Sequence, residues 1–286
     1  TGAIINCIAD PILIFGLLGA PRMGVKGAAV ATIFGQIIAA ALALFFNMKY
    51  NKEITLSFKY MKLKAEVVRR IYAVGLPSII MSAIGSVMVF GFNRILMAFT
   101  STAAAVFGAY FKLQSFIFMP IFGLNSGLIP IAAYNYGARK PERIMKTFKL
   151  AIFYAIIIMC AGLLLFQTIP ELLLSLFSES EETAKTLMEV GVPALRTISF
   201  HFPVAAYCII CGAMFQALGH GVLSLINSII RQLVVLLPAA YLLSLSGDIN
   251  LVWWSFPIAE VVSMLTSLYF YWRIYRNQIK PLFEKA

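Results

Sequence analysis

An aspartate in the middle of an apolar helix is suited to ion chemistry. The segment Asn6-Cys7-Ile8-Ala9-Asp10-Pro11 places a carboxylate there, with an amide one turn before it and a proline directly after it. Residues four apart share a helix face, so Asn6 and Asp10 present their side chains together. Pro11 has no N–H, which leaves a carbonyl one turn earlier without its helical donor and lets the helix open locally. A carboxylate at membrane depth costs about 3 kcal/mol on insertion scales, and such residues by default mark an ion or substrate pathway. Carboxylate, amide and freed carbonyl suit a cation, either Na+ or H+. The competing reading is an Asp that only caps a helix end.

Further polar residues lie deep in apolar segments. Arg231 and Glu260 sit at similar depth in the last two predicted helices. An unpaired charge there is costly, so the two are expected to pair, as a static salt bridge or as a gating or protonation element. Lys112 and Gln114 are candidates to face a cavity, although Lys112 can equally snorkel outward. Arg94 and Arg196 lie nearer helix ends, where snorkelling is the default. Pro120, followed by Gly123, Gly127 and Pro130, gives its helix the means to bend and to approach a neighbour closely. Cys208 and Cys211 form a C-x-x-C seven residues after His201. A metal centre needs about four ligands and no such cluster is present, so buried, inert thiols are expected and no metal cofactor. Asp10 is the only deep Asp and His201 has no evident partner, which argues against an enzyme. No filter-like repeat or charge ring points to a channel.

The elements that carry these residues follow from composition. The chain of 286 residues is 61% hydrophobic and only 12% charged, against about 25% charged for a soluble domain. Its mean hydropathy is +0.88, so an all-α, multi-pass membrane protein is expected. Apolar runs of about 20 residues mark spans. They fall at about 2–18, 27–47, 72–98, 104–133, 148–168, 188–214, 222–245 and 251–272, which makes eight. The net charge of +11 is distributed as the positive-inside rule expects, not as in a nucleic-acid binder. Lys49, Lys52, Lys59, Lys62, Lys64, Arg69 and Arg70 cluster in one connection. Arg139, Lys140, Arg143, Lys146 and Lys149 cluster in a second, and Arg273, Arg276, Lys280 and Lys285 in the tail. Glu179, Glu181 and Glu182 fall on the opposite side. These basic segments, and the C-terminus, are therefore placed in the cytoplasm. Trp253 and Trp254 are read as interfacial residues opening the last helix.

The long charged connection 48–70 divides the chain into a two-helix piece, 1–47, and a six-helix piece, 71–272, followed by a basic tail, 273–286. The sequence opens on Thr1 inside an apolar stretch. It is therefore expected to be the C-terminal portion of a longer protein, with about four helices preceding it.

The motifs resemble one transporter family. Pro120-x-x-Gly123-x-x-x-Gly127-x-x-Pro130-x-x-x-Tyr134-Asn135-Tyr136-Gly137-Ala138 resembles the eighth helix of MATE (multidrug and toxic compound extrusion) transporters. Asn6-x-x-x-Asp10-Pro11, with Gly24-Val25-Lys26-Gly27-Ala28-Ala29-Val30-Ala31-Thr32, resembles helices five and six. Gly75-Leu76-Pro77-Ser78 resembles the entry to helix seven. Met214-Phe215-Gln216-Ala217-Leu218-Gly219, Arg231-Gln232, Trp253, Pro257 and Glu260 resemble helices eleven and twelve. The resemblance spans nearly the whole chain and implies two six-helix lobes around a cavity: here the end of an N-lobe and a complete C-lobe.

It also implies export of small organic compounds, cationic or amphipathic, coupled to inward Na+ or H+ by alternating access. In one branch of the family a helix-one Asp works with Asn and Asp on helix five and Thr on helix six. Asn6, Asp10 and Thr32 match the last three. Another branch places acids on helices seven and ten. Here residues 72–98 contain no Asp or Glu and residues 188–214 only Glu189, which argues against that arrangement. The expected setting is a bacterial inner (plasma) membrane, with lipid as the surroundings, no nucleic-acid partner and a monomer when full length. The alternative is a flippase for a lipid-linked polar headgroup, which a basic cavity would favour.

Overall fold

The computed structural model of the protein describes residues 1–51, 64–177 and 181–284. The charges at Lys52, Lys59, Lys62, Glu179 and Lys285 lie outside the described residues. Two compact units are formed, Thr1–Val68 and Arg69–Ala286.

The first unit is a helical hairpin of α1, Gly2–Phe15, and α2, Val25–Tyr50. Gly16 ends α1 in the left-handed region, at φ 75°, with its N–H bonded to Ile12 O. A helix C-terminus favours glycine in this conformation. Gly27, Ala31 and Gly35 are the buried residues of α2 and recur every turn. The backbone of α1 lies directly against them: a Cβ on Gly27 would overlap the Leu13 carbonyl, and one on Gly35 would lie 2.9 Å from Gly2 O. Small residues at this spacing let two helices meet without side chains between them.

The second unit contains α4, Ser101–Gly137, α5, Pro141–Thr168, and a short α6, Pro170–Ser175. Most of α3, Ala65–Met97, also belongs to it. Then follow α7, Glu181–Ser199, α8, Phe202–Ala217, and α9, Gly221–Ile229. A π-helical segment, Ile230–Leu236, leads into α10, Leu237–Ser244. After a one-turn α11, Ile249–Val252, the chain ends with α12, Ser255–Ile274, a π turn and α13, Lys280–Glu284. Thr100 opens α4 by accepting a hydrogen bond from Ala103 N at 3.1 Å. Pro141 and Pro170 occupy first-turn positions, where a missing N–H costs nothing.

The eight expected spans are not all matched. Among the described residues six helices are long and apolar enough to cross a membrane, and α7 and α8 form a seventh only as a pair bent by 50°. The bend has a local cause. Pro203 cannot donate to the carbonyl four residues earlier, so the helix stops at Ser199 and restarts at Phe202. At 14 residues, α1 is about 21 Å long, less than the ~30 Å hydrocarbon core.

Two other expectations are corrected. Gly123 and Gly127 have open space where a Cβ would stand, so they mediate no close approach within this unit. That role falls to Gly162, packed on Ile117, and Gly191, packed on Leu174. At the end of α4 the left-handed residue is Arg139, at φ 53°. Lys140 N closes the turn on Asn135 O at 2.9 Å. Trp253 is fully buried and packs on Phe92 in an aromatic core with Phe107, Tyr110 and Phe256. Of the two, Trp254 is exposed, and it stacks on Phe200.

Candidate functional site

Each unit carries its own polar site. In the hairpin, the Asn6 amide nitrogen donates to Asp10 Oδ1 at 3.2 Å and to Thr32 Oγ1 at 3.3 Å. Thr32 in turn donates to Ala28 O at 2.9 Å. The structure therefore brings Asn6, Asp10 and Thr32 together, with the amide bridging α1 and α2. Gly35 permits this geometry: its missing side chain leaves room for Asn6, whose Cβ would lie 3.4 Å from a Cβ placed there. Asn6 and Asp10 are half-buried and Thr32 is exposed. A cation here would find a carboxylate, a hydroxyl and, one turn before Pro11, the Cys7 carbonyl that no helical N–H can occupy, and the Asn6 amide oxygen if that side chain exchanged its two hydrogen bonds for the ion. Those are hard oxygen ligands, suited to Na+, and the carboxylate alone suits H+.

In the second unit, Arg231 Nη1 donates to Glu260 Oε2 at 3.2 Å. Glu260 is 3% exposed, while the Arg231 side chain is 29% exposed. Arg231 is carried by the π-helical segment, a local widening common at functional positions. Both residues line a cavity of about 740 Å³ together with Gln114, His201, Asn93 and Gln232. The apolar part of the wall is rich in phenylalanine. His201 stands at the α7–α8 bend, and its Nδ1–H donates to Ile198 O at 2.5 Å, which orients the ring.

Gln114 thus lines the cavity, but Lys112 does not. It is exposed, with its ammonium 5.5 Å from the Phe177 ring centroid. Pro120 is exposed within an uninterrupted α4, flanked by the cavity residues Phe118 and Phe122. Arg94 and Arg196 are exposed, and Cys208 and Cys211 are free, buried thiols on α8.

Sequence reading missed a polar ladder between α9 and α12. Asn227 donates to Ser263 Oγ at 3.2 Å and to Ser267 Oγ at 3.0 Å, and accepts from Thr266 Oγ1. Ser224 donates to Gly212 O at 2.7 Å. Ser224, Asn227 and Arg231 form one stripe, and Glu260, Ser263 and Ser267 the facing one. Their three- and four-residue spacing was the available signal.

Among the described residues the structure is an all-helical, multi-pass membrane fold with polar sites between its helices. The chain belongs to the MatE family, whose family model matches residues 77–242. The multidrug export protein MepA of Staphylococcus saprophyticus is 27% identical over 270 residues, covering 93% of this chain and 56% of the relative. MepA of Staphylococcus haemolyticus is 28% identical over 286 residues, covering 96% and 58%. The chain therefore spans little more than half the length of these relatives. Among solved structures, a MOP superfamily transporter from Pyrococcus furiosus superposes with a TM-score of 0.84 at 25% identity. That match covers 98% of this chain and 61% of the other.

Proposed function

We propose that the chain is part of a cation-coupled antiporter that exports small organic compounds by alternating access. Membership of the MatE family and similarity to proteins named for multidrug export support the transport reading. One observation carries the coupling: the Asn6 amide ties Asp10 on one helix to Thr32 on the next. Binding of Na+ or H+ at Asp10 neutralises a carboxylate and competes for the same oxygens. It thereby alters the relative stability of two conformations. The chemistry is binding and release, with no covalent step and no cofactor beyond the coupling ion.

The protein works in a bacterial plasma membrane as a monomer, with its C-terminus in the cytoplasm. The flippase alternative is the weaker reading, because among the described residues the guanidinium lining the cavity, Arg231, is already paired with Glu260.

The test uses the full-length protein in proteoliposomes, with efflux of a fluorescent aromatic dye driven by an imposed Na+ or H+ gradient. Asp10→Asn should abolish gradient-driven efflux while the protein still inserts. Efflux at the unmodified rate would refute the assignment.

A further inference from the structure

Two basic clusters far apart in sequence meet at one end of the second unit. Lys146 and Lys149 stand on the first turns of α5, and Arg276 and Lys280 beyond the end of α12; all are exposed. The Tyr271 ring stacks on Phe148 with centroids 4.9 Å apart, and its hydroxyl donates to Met145 Sδ at 3.7 Å. The start of α5 therefore meets the end of α12, while α8 packs against both. The two helices run antiparallel, so the residue after each contact residue turns to the same side of the pair. Those following residues are Lys146, Lys149 and Trp272. Arg276 joins them, its guanidinium 5.5 Å from the Trp272 ring centroid.

The end of the chain is held in place. Ile279 is fully buried, Gln278 Nε2 donates to His220 Nε2 at 2.6 Å, and α13 packs on α5. Arg276 and Lys280 are thereby fixed beside α5. The contact with Trp272 orients the Arg276 guanidinium, whose planar fork matches a phosphate. The acids of these segments are Glu142 on α5 and Glu284, which lies 3.8 Å from Lys280 in an exposed pair of small energetic worth.

Position selects the source of a phosphate. Trp272 and Tyr269 are exposed, as aromatic residues at a membrane–water boundary are. Both helices continue from here into apolar spans. A headgroup phosphate of the adjoining leaflet lies at this level, with its acyl chains along the apolar faces of α5 and α12. Orientation in the membrane requires positive charge at this end, but not its gathering around one tryptophan where two helices meet.

We infer that the junction of α5 with the end of α12 binds the headgroup of an anionic phospholipid, with Lys146, Lys149, Arg276 and Lys280 around its phosphate and Trp272 orienting Arg276. Binding there needs neither a gradient nor transport.

Native mass spectrometry of the full-length protein in detergent, titrated with phosphatidylglycerol or phosphatidylcholine of the same acyl chains, measures the affinities. Phosphatidylglycerol should bind at least about tenfold more tightly. A basic residue beside anionic headgroups contributes roughly fivefold. Lys149→Gln alone should therefore weaken phosphatidylglycerol about fivefold, and Lys146→Gln, Lys149→Gln and Arg276→Gln together should remove its advantage. A control triple variant removes the same charge from the same end: Arg139→Gln and Lys140→Gln in the preceding turn, and Arg143→Gln on the far face of α5. It should change the affinity less than about twofold. The substituted residues are exposed, so all variants should keep their melting temperature. Equal affinity for the two lipids, or equal losses in the two triple variants, would overturn the inference. Displacement of the lipid by millimolar glycerol phosphate would overturn it too, by making this a site for a soluble anion.

Discussion

At the scale of single residues, the two sites place opposite demands on their polar groups. At the hairpin site the oxygens must be exchangeable, and one amide holds them. Removing it should spoil the geometry while leaving the charge. Asn6→Leu and Thr32→Val should each lower gradient-driven export several-fold and raise the ion concentration for half-maximal rate, with Asp10→Asn more severe than either. Unchanged ion dependence in both milder variants would show that the bridge is incidental. At Arg231 and Glu260 the groups hold each other. Removing one partner leaves a buried charge, so Arg231→Met and Glu260→Met should each destabilise the protein in detergent, while the double substitution is milder than their sum. The coupling should be about 1–3 kcal/mol, and a strictly additive thermal-denaturation cycle would exclude it. Both contacts were partly legible in the sequence. The spacing of Asn6 and Asp10 and the matched depth of Arg231 and Glu260 pointed to them. Thr32 came only from the family resemblance, because a partner 26 residues away is set by how the hairpin closes. Lys112 was placed correctly on its helix but left open between two faces, since depth along a helix says nothing of direction around it.

At the scale of elements, proline and small residues do different jobs in the two units. Pro120 removes the hydrogen bond to the carbonyl of Phe116, yet α4 runs unbroken through it. A helix weakened at one bond but still continuous can bend at low cost, and Pro120 lies between two residues that line the cavity. Pro120→Ala should leave folding intact and slow transport turnover several-fold in proteoliposomes. Normal turnover in a well-folded variant would remove the case for a hinge. In the hairpin the constraint is steric. A larger side chain at Gly27 must displace the α1 backbone at Leu13, so Gly27→Leu should cost a few kcal/mol and separate Asn6 from Thr32. Its signature is loss of ion dependence together with a lower melting temperature. The sequence showed where helices lie but not which of their small residues touch. Gly123 and Gly127 have the spacing of a packing motif and face open space, whereas Gly162 and Gly191 stand alone in sequence and are packed against side chains. The break at Pro203 was lost inside one apolar run, because hydropathy is blind to a missing N–H.

For the whole molecule, orientation was read from charge alone, and only the membrane can confirm it. Three candidate spans, α5, the bent α7–α8 pair and α9 with α10, separate the basic turn after α4, with Arg139 and Lys140, from the loop after α10, so the two fall on opposite sides, and the positive-inside rule assigns the first to the cytoplasm. Both offer exposed positions: Lys140 is exposed in its turn, and Leu245 is 68% exposed. The four native cysteines, two of them buried, would first be replaced in the full-length protein. In that background Leu245→Cys should react with a membrane-impermeant maleimide on intact cells, and Lys140→Cys only after permeabilisation. The reverse pattern would invert the orientation and place the C-terminus outside. A site that takes up an ion from outside must be reachable from that side in one conformation. Labelling of Leu245→Cys from outside, combined with export that requires the ion outside, is the joint result that the sequence and the fold together predict.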